Sequence, residues 1–121
     1  MTYHFSKPSE FLSRRIISPV PFNARFPAGR LKPPVGIMPG DVRSLPELHL
    51  FLEPDNASLP GINLKALPEW IEVNIGDKDL AESIRAIVDT AANYVEDCLR
   101  VYEIVGYRLD QARGIIKETR V

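Results

Sequence analysis

From Ile84 to Ile116, apolar or small residues recur at alternating steps of four and three: Ile84, Val88, Ala91, Val95, Cys98, Tyr102, Val105, Leu109, Ala112 and Ile116. A strand repeats every two residues, so this rhythm specifies a helix that packs against other helices. Flanking positions widen the stripe, with Leu80, Ile87, Tyr94, Val101 and Ile115 on one side and Ala92, Leu99 and Gly106 on the other. A two-stranded coiled coil keeps those flanks charged, whereas a wide apolar face suits a multi-helix bundle or a helix gripped on two sides. The opposite face carries Glu82, Asp89, Glu96, Glu103 and Asp110, interrupted by Ile104 and Tyr107. Asp79 with Glu82 reads as a capping box at the start. Unbroken from Leu80 to Thr119, such a helix is about 60 Å long, and Gly106 and Gly114 are its weak points.

Upstream the period changes. Leu48, Leu50 and Leu52 alternate with more polar or aromatic neighbours, as do Ile71, Val73 and Ile75. Period-two alternation predicts two strands, bounded by Pro46, Pro54 and Gly76 and joined by a long loop. Two strands are marginal in water and need a covering element. Before them, Pro19, Pro21, Pro27, Pro33, Pro34 and Pro39 remove backbone donors and favour extended geometry, leaving room for a short helix around Ser9–Ile17 with Ser9 as its cap. Phe5, Phe11, Phe22, Phe26, Leu31, Val35, Ile37 and Met38 punctuate this arm. Disordered tails are poor in aromatics, so the arm reads as a chain laid along a surface, with Phe22 and Phe26 as docking anchors.

The pattern therefore predicts an α+β chain in three parts. Residues 1–43 form an extended Pro-rich arm, 44–76 a short two-strand element with its loop, and 77–121 a long oligomerisation helix. No second long helix is evident to cover the stripe, so its partners are expected from other chains: a homo-oligomer, or a subunit of a larger protein complex. Left bare, a surface of that size promotes aggregation.

Charge sharpens this picture. The chain has a net charge of −1, which gives no global attraction to nucleic acid or an anionic membrane. The distribution is uneven: residues 1–43 hold seven basic and two acidic groups, whereas 44–80 hold two basic and seven acidic ones. A basic arm beside an acidic middle suggests self-association within or between subunits. The same arm supplies the rival reading, an accessory nucleic-acid-binding protein in which Arg14, Arg15, Arg25, Arg30 and Lys32 follow phosphates while Phe22 and Phe26 stack on bases.

Catalytic chemistry is hard to place. His4 and His49 lack a second ligand at metal-like spacing. Cys98 falls among Ala91 and Val105, where a small thiol packs as a hydrophobe, and Glu96 and Asp97 nearby raise its pKa. The helix has no Glu-x-x-His pair for a di-iron bundle, and Gly29, Gly36 and Gly40 do not open a helix after a strand as a phosphate loop requires. No metal, cofactor or catalytic residue is expected, and an enzyme with a site between subunits is the weakest of the three readings. One cysteine, no signal-peptide core and no run of about 20 apolar residues point to a cytoplasmic protein.

Overall fold

The computed structural model describes residues 7–119 apart from 33, 35, 55–57 and 90–92, and the side chains of 32, 37–39, 118 and 119 lie outside that description. The architecture is mixed: five helices and a three-stranded antiparallel sheet among the described residues, with a long C-terminal helix at the centre. The elements are α1 (Glu10–Ile17), β1 (Phe26–Lys32), β2 (Gly36–Val42), α2 (Leu45–Phe51), β3 (Leu59–Gly61), α3 (Leu67–Trp70), α4 (Lys78–Asp89) and α5 (Tyr94–Thr119). A 3₁₀ turn at Phe22–Ala24 precedes β1, and α3 continues as a π-helical segment, Ile71–Ile75. No helix among the described residues is long and apolar enough to cross a membrane.

The expected single C-terminal helix is two. Asn93 caps α5 with its side chain, its Oδ1 accepting the Glu96 N–H at 2.7 Å, and its carbonyl takes the Asp97 N–H. That cap starts a new helix instead of continuing α4. The cap of α4 is also displaced from the expected Asp79: Asp77 Oδ1 accepts the Leu80 N–H at 3.1 Å. Asp77 then meets Arg108, in the middle of α5, through Oδ2–Nε at 2.7 Å and Oδ1–Nη2 at 3.0 Å. Each arm between the break and this contact is about 20 Å at 1.5 Å per residue, so α4 folds back along α5 as an αα-hairpin.

The stripe is consequently covered from within. Ile84, Cys98, Val105, Leu109, Ala112 and Ile116 are buried, and Val88 and Tyr102 are partly buried against the same core. Helices α1, α2 and α4 all pack on α5, which also explains why Ile104 and Arg108, off the predicted stripe, are buried. Ala91 lies outside the described residues. Val95 is the exception, 57% exposed.

Both predicted strands of the middle segment are helical. Ser44 accepts the Glu47 N–H, and Pro46 sits in the first turn, so Ser44-Leu45-Pro46-Glu47 is a helix start that overrides the alternation. Leu45, Leu48 and Leu52 are buried at helical spacing while Leu50 faces out. Leu67, Trp70, Ile71 and Ile75 repeat that logic, with Val73 outward. The π segment ends at Gly76, whose φ of +87° closes the turn by returning its N–H to the Ile71 carbonyl at 2.9 Å; a left-handed residue of this kind is best supplied by glycine.

The sheet comes from the predicted arm, in the order β2-β1-β3. Strands β1 and β2 pair along their whole length from Phe26–Val42 to Lys32–Gly36, and β3 pairs only with Gly29–Leu31. The helix expected near Ser9 is α1, with Leu12 N–H on Ser9 Oγ at 3.0 Å. Of the two expected anchors, Phe26 is buried against Trp70, ring centroids 5.5 Å apart, whereas Phe22 is 78% exposed and carries the Arg25 guanidinium on its ring.

Helix α2 crosses α5 at Gly106. The His49 ring stacks on Tyr102 at 4.4 Å between centroids, and a Cβ on Gly106 would lie 2.7 Å from His49 Nε2. Burial, with Arg113 adding, lowers the His49 pKa against the opposing pull of Asp110 and Glu53, so the stacked ring is neutral.

Arg108→Leu leaves Asp77 buried without its counter-charge and should cost about 3–5 kcal/mol in urea unfolding, as breaking one side of a buried pair does; adding Asp77→Asn, which keeps the cap and removes the charge, should recover part of that loss. Gly106→Ala should lower the melting temperature despite a helix-propensity gain of about 1 kcal/mol, and His49→Ala should relieve it. Gly114→Ala, where a Cβ meets nothing within 4 Å, should raise it.

Candidate interaction surface

Asn93 sets α5 in motion so that Tyr94 and Val95 stand in its first turn, and Leu99 follows Val95 by one turn on the same side. Tyr94 ties this end of the helix to the sheet. Its hydroxyl accepts the Ile62 N–H at 3.0 Å and donates to the Pro60 carbonyl, bracketing the end of β3. Loss of hydration around that hydroxyl pushes the Tyr94 pKa up to about 12, although the Ile62 hydrogen bond opposes the shift.

The consequence is a continuous apolar face. Leu31 on β1, Leu59 on β3, and Tyr94, Val95 and Leu99 on α5 are each at least 40% exposed. A cleft of about 350 Å³ runs between Leu59, Pro60, Val95 and Leu99, with Cys98 in its lining. It joins at Leu59, Pro60 and Tyr94 a wider, open depression over Pro27, Gly29, Leu31 and Gly61 on the sheet. Pro27, Gly29 and Gly61 keep that face low, and Gly61 is packed so closely that a Cβ would sit 3.2 Å from the Gly29 carbonyl oxygen.

The Cys98 pKa is raised, chiefly by burial and further by Asp97, against a hydrogen bond with Tyr94 that lowers it, so the sulfur stays a thiol at neutral pH. Among the described residues, no group of three His, Cys, Asp or Glu side chains is placed to hold a metal ion.

The predicted phosphate-binding cations whose side chains are described each have a partner in the same chain. Arg14 pairs with Glu10 at 2.9 Å. Arg15 donates to the Asn74 carbonyl at 2.7 Å. Arg25 pairs with Asp41 at 3.2 Å. Arg30 donates to Ser58 Oγ and to the Phe51 and Glu53 carbonyls at the end of α2. The Lys32 side chain lies outside the described residues. Most of the arm's charge is thus spent holding the arm to its own chain.

Of the ten stripe residues, Val95 alone is both described and open on this face. The periodicity places Leu99 on the flank of the stripe but gives no signal for Leu31 or Leu59. The available signal was local: Tyr94, Val95 and Leu99 crowd apolar bulk just beyond an Asn cap, where the preceding helix has already ended.

The chain matches no family model, no curated protein and no solved structure, so the surface is read from its own geometry.

Tyr94→Phe should test how this end is held. The variant leaves the Ile62 N–H and Pro60 carbonyl short of a partner and should cost about 1 kcal/mol. In the wild-type protein the neutral phenol is favoured on folding, so the folded pKa lies above the unfolded value of about 10. Its stabilisation is full below pH 10 and lost as pH rises toward 12. Chemical denaturation across that range should show a shallower decline for Tyr94→Phe than for wild type.

Proposed function

We propose that this protein is a non-catalytic interaction subunit that pairs with a second copy of itself through the face formed by Leu59, Tyr94, Val95 and Leu99. The observation that carries the reading is that these side chains are exposed side by side on elements pinned to one another by the Tyr94 hydroxyl. Adjacent large apolar groups on a rigid base are the usual centre of a protein interface. A second copy is the occupant favoured here because a two-fold contact needs one self-complementary patch. The Val95–Leu99 spacing also forms an i, i+4 ridge that can enter the groove of a like helix, and a net charge of −1 opposes pairing little.

Burial of a few such side chains contributes about 1.5–3 kcal/mol each before the cost of association, which suits micromolar pairing. Against the nucleic-acid alternative, Arg14 is engaged by Glu10 and Arg30 by Ser58 and two backbone carbonyls of the same chain. A cytoplasmic setting is part of the proposal and rests on the single, unpaired Cys98.

Light scattering tests it. Wild type should rise from monomer to dimer mass across the micromolar range. Val95→Asp, at an exposed position, should hold the chain monomeric with its melting temperature little changed. Leu109→Asp, in the core, should instead unfold it. A wild-type chain that stays monomeric up to about 1 mM, equivalent to less than about 4 kcal/mol of association free energy, would overturn the reading.

A further inference from the structure

A second cleft, of about 560 Å³, opens between the 3₁₀ turn and the π-helical segment and shares no residue with the apolar face. Its charged lining residues are Arg15 and Arg25, flanked by the amides of Asn23 and Asn74 and walled by Trp70 and Val73, and no carboxylate lines it. Neither guanidinium is saturated. Arg15 makes one hydrogen bond, to the Asn74 carbonyl. Arg25 holds Asp41 through a single contact, made by Nη1. A guanidinium binds best to a planar carboxylate through two parallel bonds, and neither arginine makes such a fork here.

Apolar surface accompanies the charge. Val73 is 69% exposed at the cleft, and Phe22, also exposed, lies beneath the Arg25 guanidinium at 4.2 Å. A nucleic-acid strand requires a continuing line of cations, but the adjacent Arg14 is already paired with Glu10. A short peptide that presents carboxylates beside an apolar side chain matches both features at once. We propose that this cleft binds an acidic, leucine- or phenylalanine-bearing peptide segment of a partner protein, with its carboxylates on Arg15 and Arg25 and its apolar side chain against Val73. The proposal stands independently of self-pairing, because the two surfaces are separate.

Trp70 lines the cleft and is the only tryptophan in the chain, so its emission reports on occupancy. The test titrates the full chain with a fluorescein-labelled peptide of alternating glutamate and leucine, reading both peptide anisotropy and, with unlabelled peptide, Trp70 emission. Competitors are the glutamine–leucine isostere and a single-stranded oligonucleotide. Wild type should bind the glutamate peptide saturably, with a change in Trp70 emission and an affinity that falls with added salt. Arg15→Gln and Arg25→Gln should each weaken it by about tenfold, the scale of one charge-assisted hydrogen bond. Asn23→Asp places a like charge on the exposed rim without removing a contact of the fold; it should weaken binding with the melting temperature unchanged, which separates recognition from misfolding. No binding, equal binding of the glutamine isostere, full affinity in Asn23→Asp, or tighter binding of the oligonucleotide each overturns the proposal.

Discussion

The buried fork between Asp77 and Arg108 is the constraint on which the rest of the arrangement depends. Both side chains are essentially inaccessible to solvent, at 0% and 1% exposure. Removing two charges from water costs several kcal/mol each, and the attraction between them roughly offsets it, so such a pair is a poor source of net stability. Its geometric demand is severe, however. Sliding α4 along α5 by one turn, about 5.4 Å, would break both bonds and strand both charges. Asp77 also caps α4, and Gln111 Oε1 accepts from Arg108 Nη1. The pair therefore fixes where α4 begins and where it meets α5. With that register set, α5 presents Gly106 to His49 and its remaining apolar flank to α1, and the helical layer closes around one axis.

The sheet depends on this layer. Three short strands with few large side chains bury too little to stand alone. Phe26 reaches the core against Trp70, the Trp70 indole N–H donates to the Ala24 carbonyl, and Tyr94 grips the backbone around β3. Arg30 performs the same service for α2, donating to carbonyls at its C-terminal end, where a cation complements both the orphan acceptors and the helix dipole. Arg15 does likewise at the end of the π-helical segment. Between the basic arm and the acidic middle, one ion pair forms among the described residues, Arg43–Glu47, while Arg15 and Arg30 reach the middle through backbone carbonyls. What these contacts leave over defines the two candidate surfaces: an apolar face where the sheet meets the start of α5, and a cationic cleft where Arg15 and Arg25 retain unused donors.

Several features were legible in the residues alone. Ser9 marks the start of α1, the apolar period marks α5, and the acidic row from Glu82 to Asp110 marks the side that stays in or near water. These are short-range consequences of backbone geometry and capping, which a sequence carries directly. The strand expectations at 48–52 and 71–75 failed because alternation over five residues is compatible with a helix when every third or fourth side chain is also apolar. The Ser44-x-x-Glu47 start and the Leu67–Trp70–Ile71–Ile75 spacing carried the opposing signal.

By itself, the sequence determined that a wide apolar stripe must be covered by helices, whereas the proline-rich arm expected to lie extended on a surface folds instead as α1 and the β1–β2 pair. The tertiary structure alone decided what does the covering. Periodicity specifies a face but not the chain its partner belongs to, because desolvation is non-directional and rewards burial by any apolar neighbour. The fold-back at the Asn93 cap supplies α4 as a partner from the same chain, and the Asp77–Arg108 fork, spanning 31 residues, ties the two arms in one register. Neither the break nor the fork is encoded in a period. Each arises from a polar side chain whose partner is defined only in three dimensions, and together they turn an oligomerisation stripe into a core and leave Val95, almost alone of that stripe, facing outward.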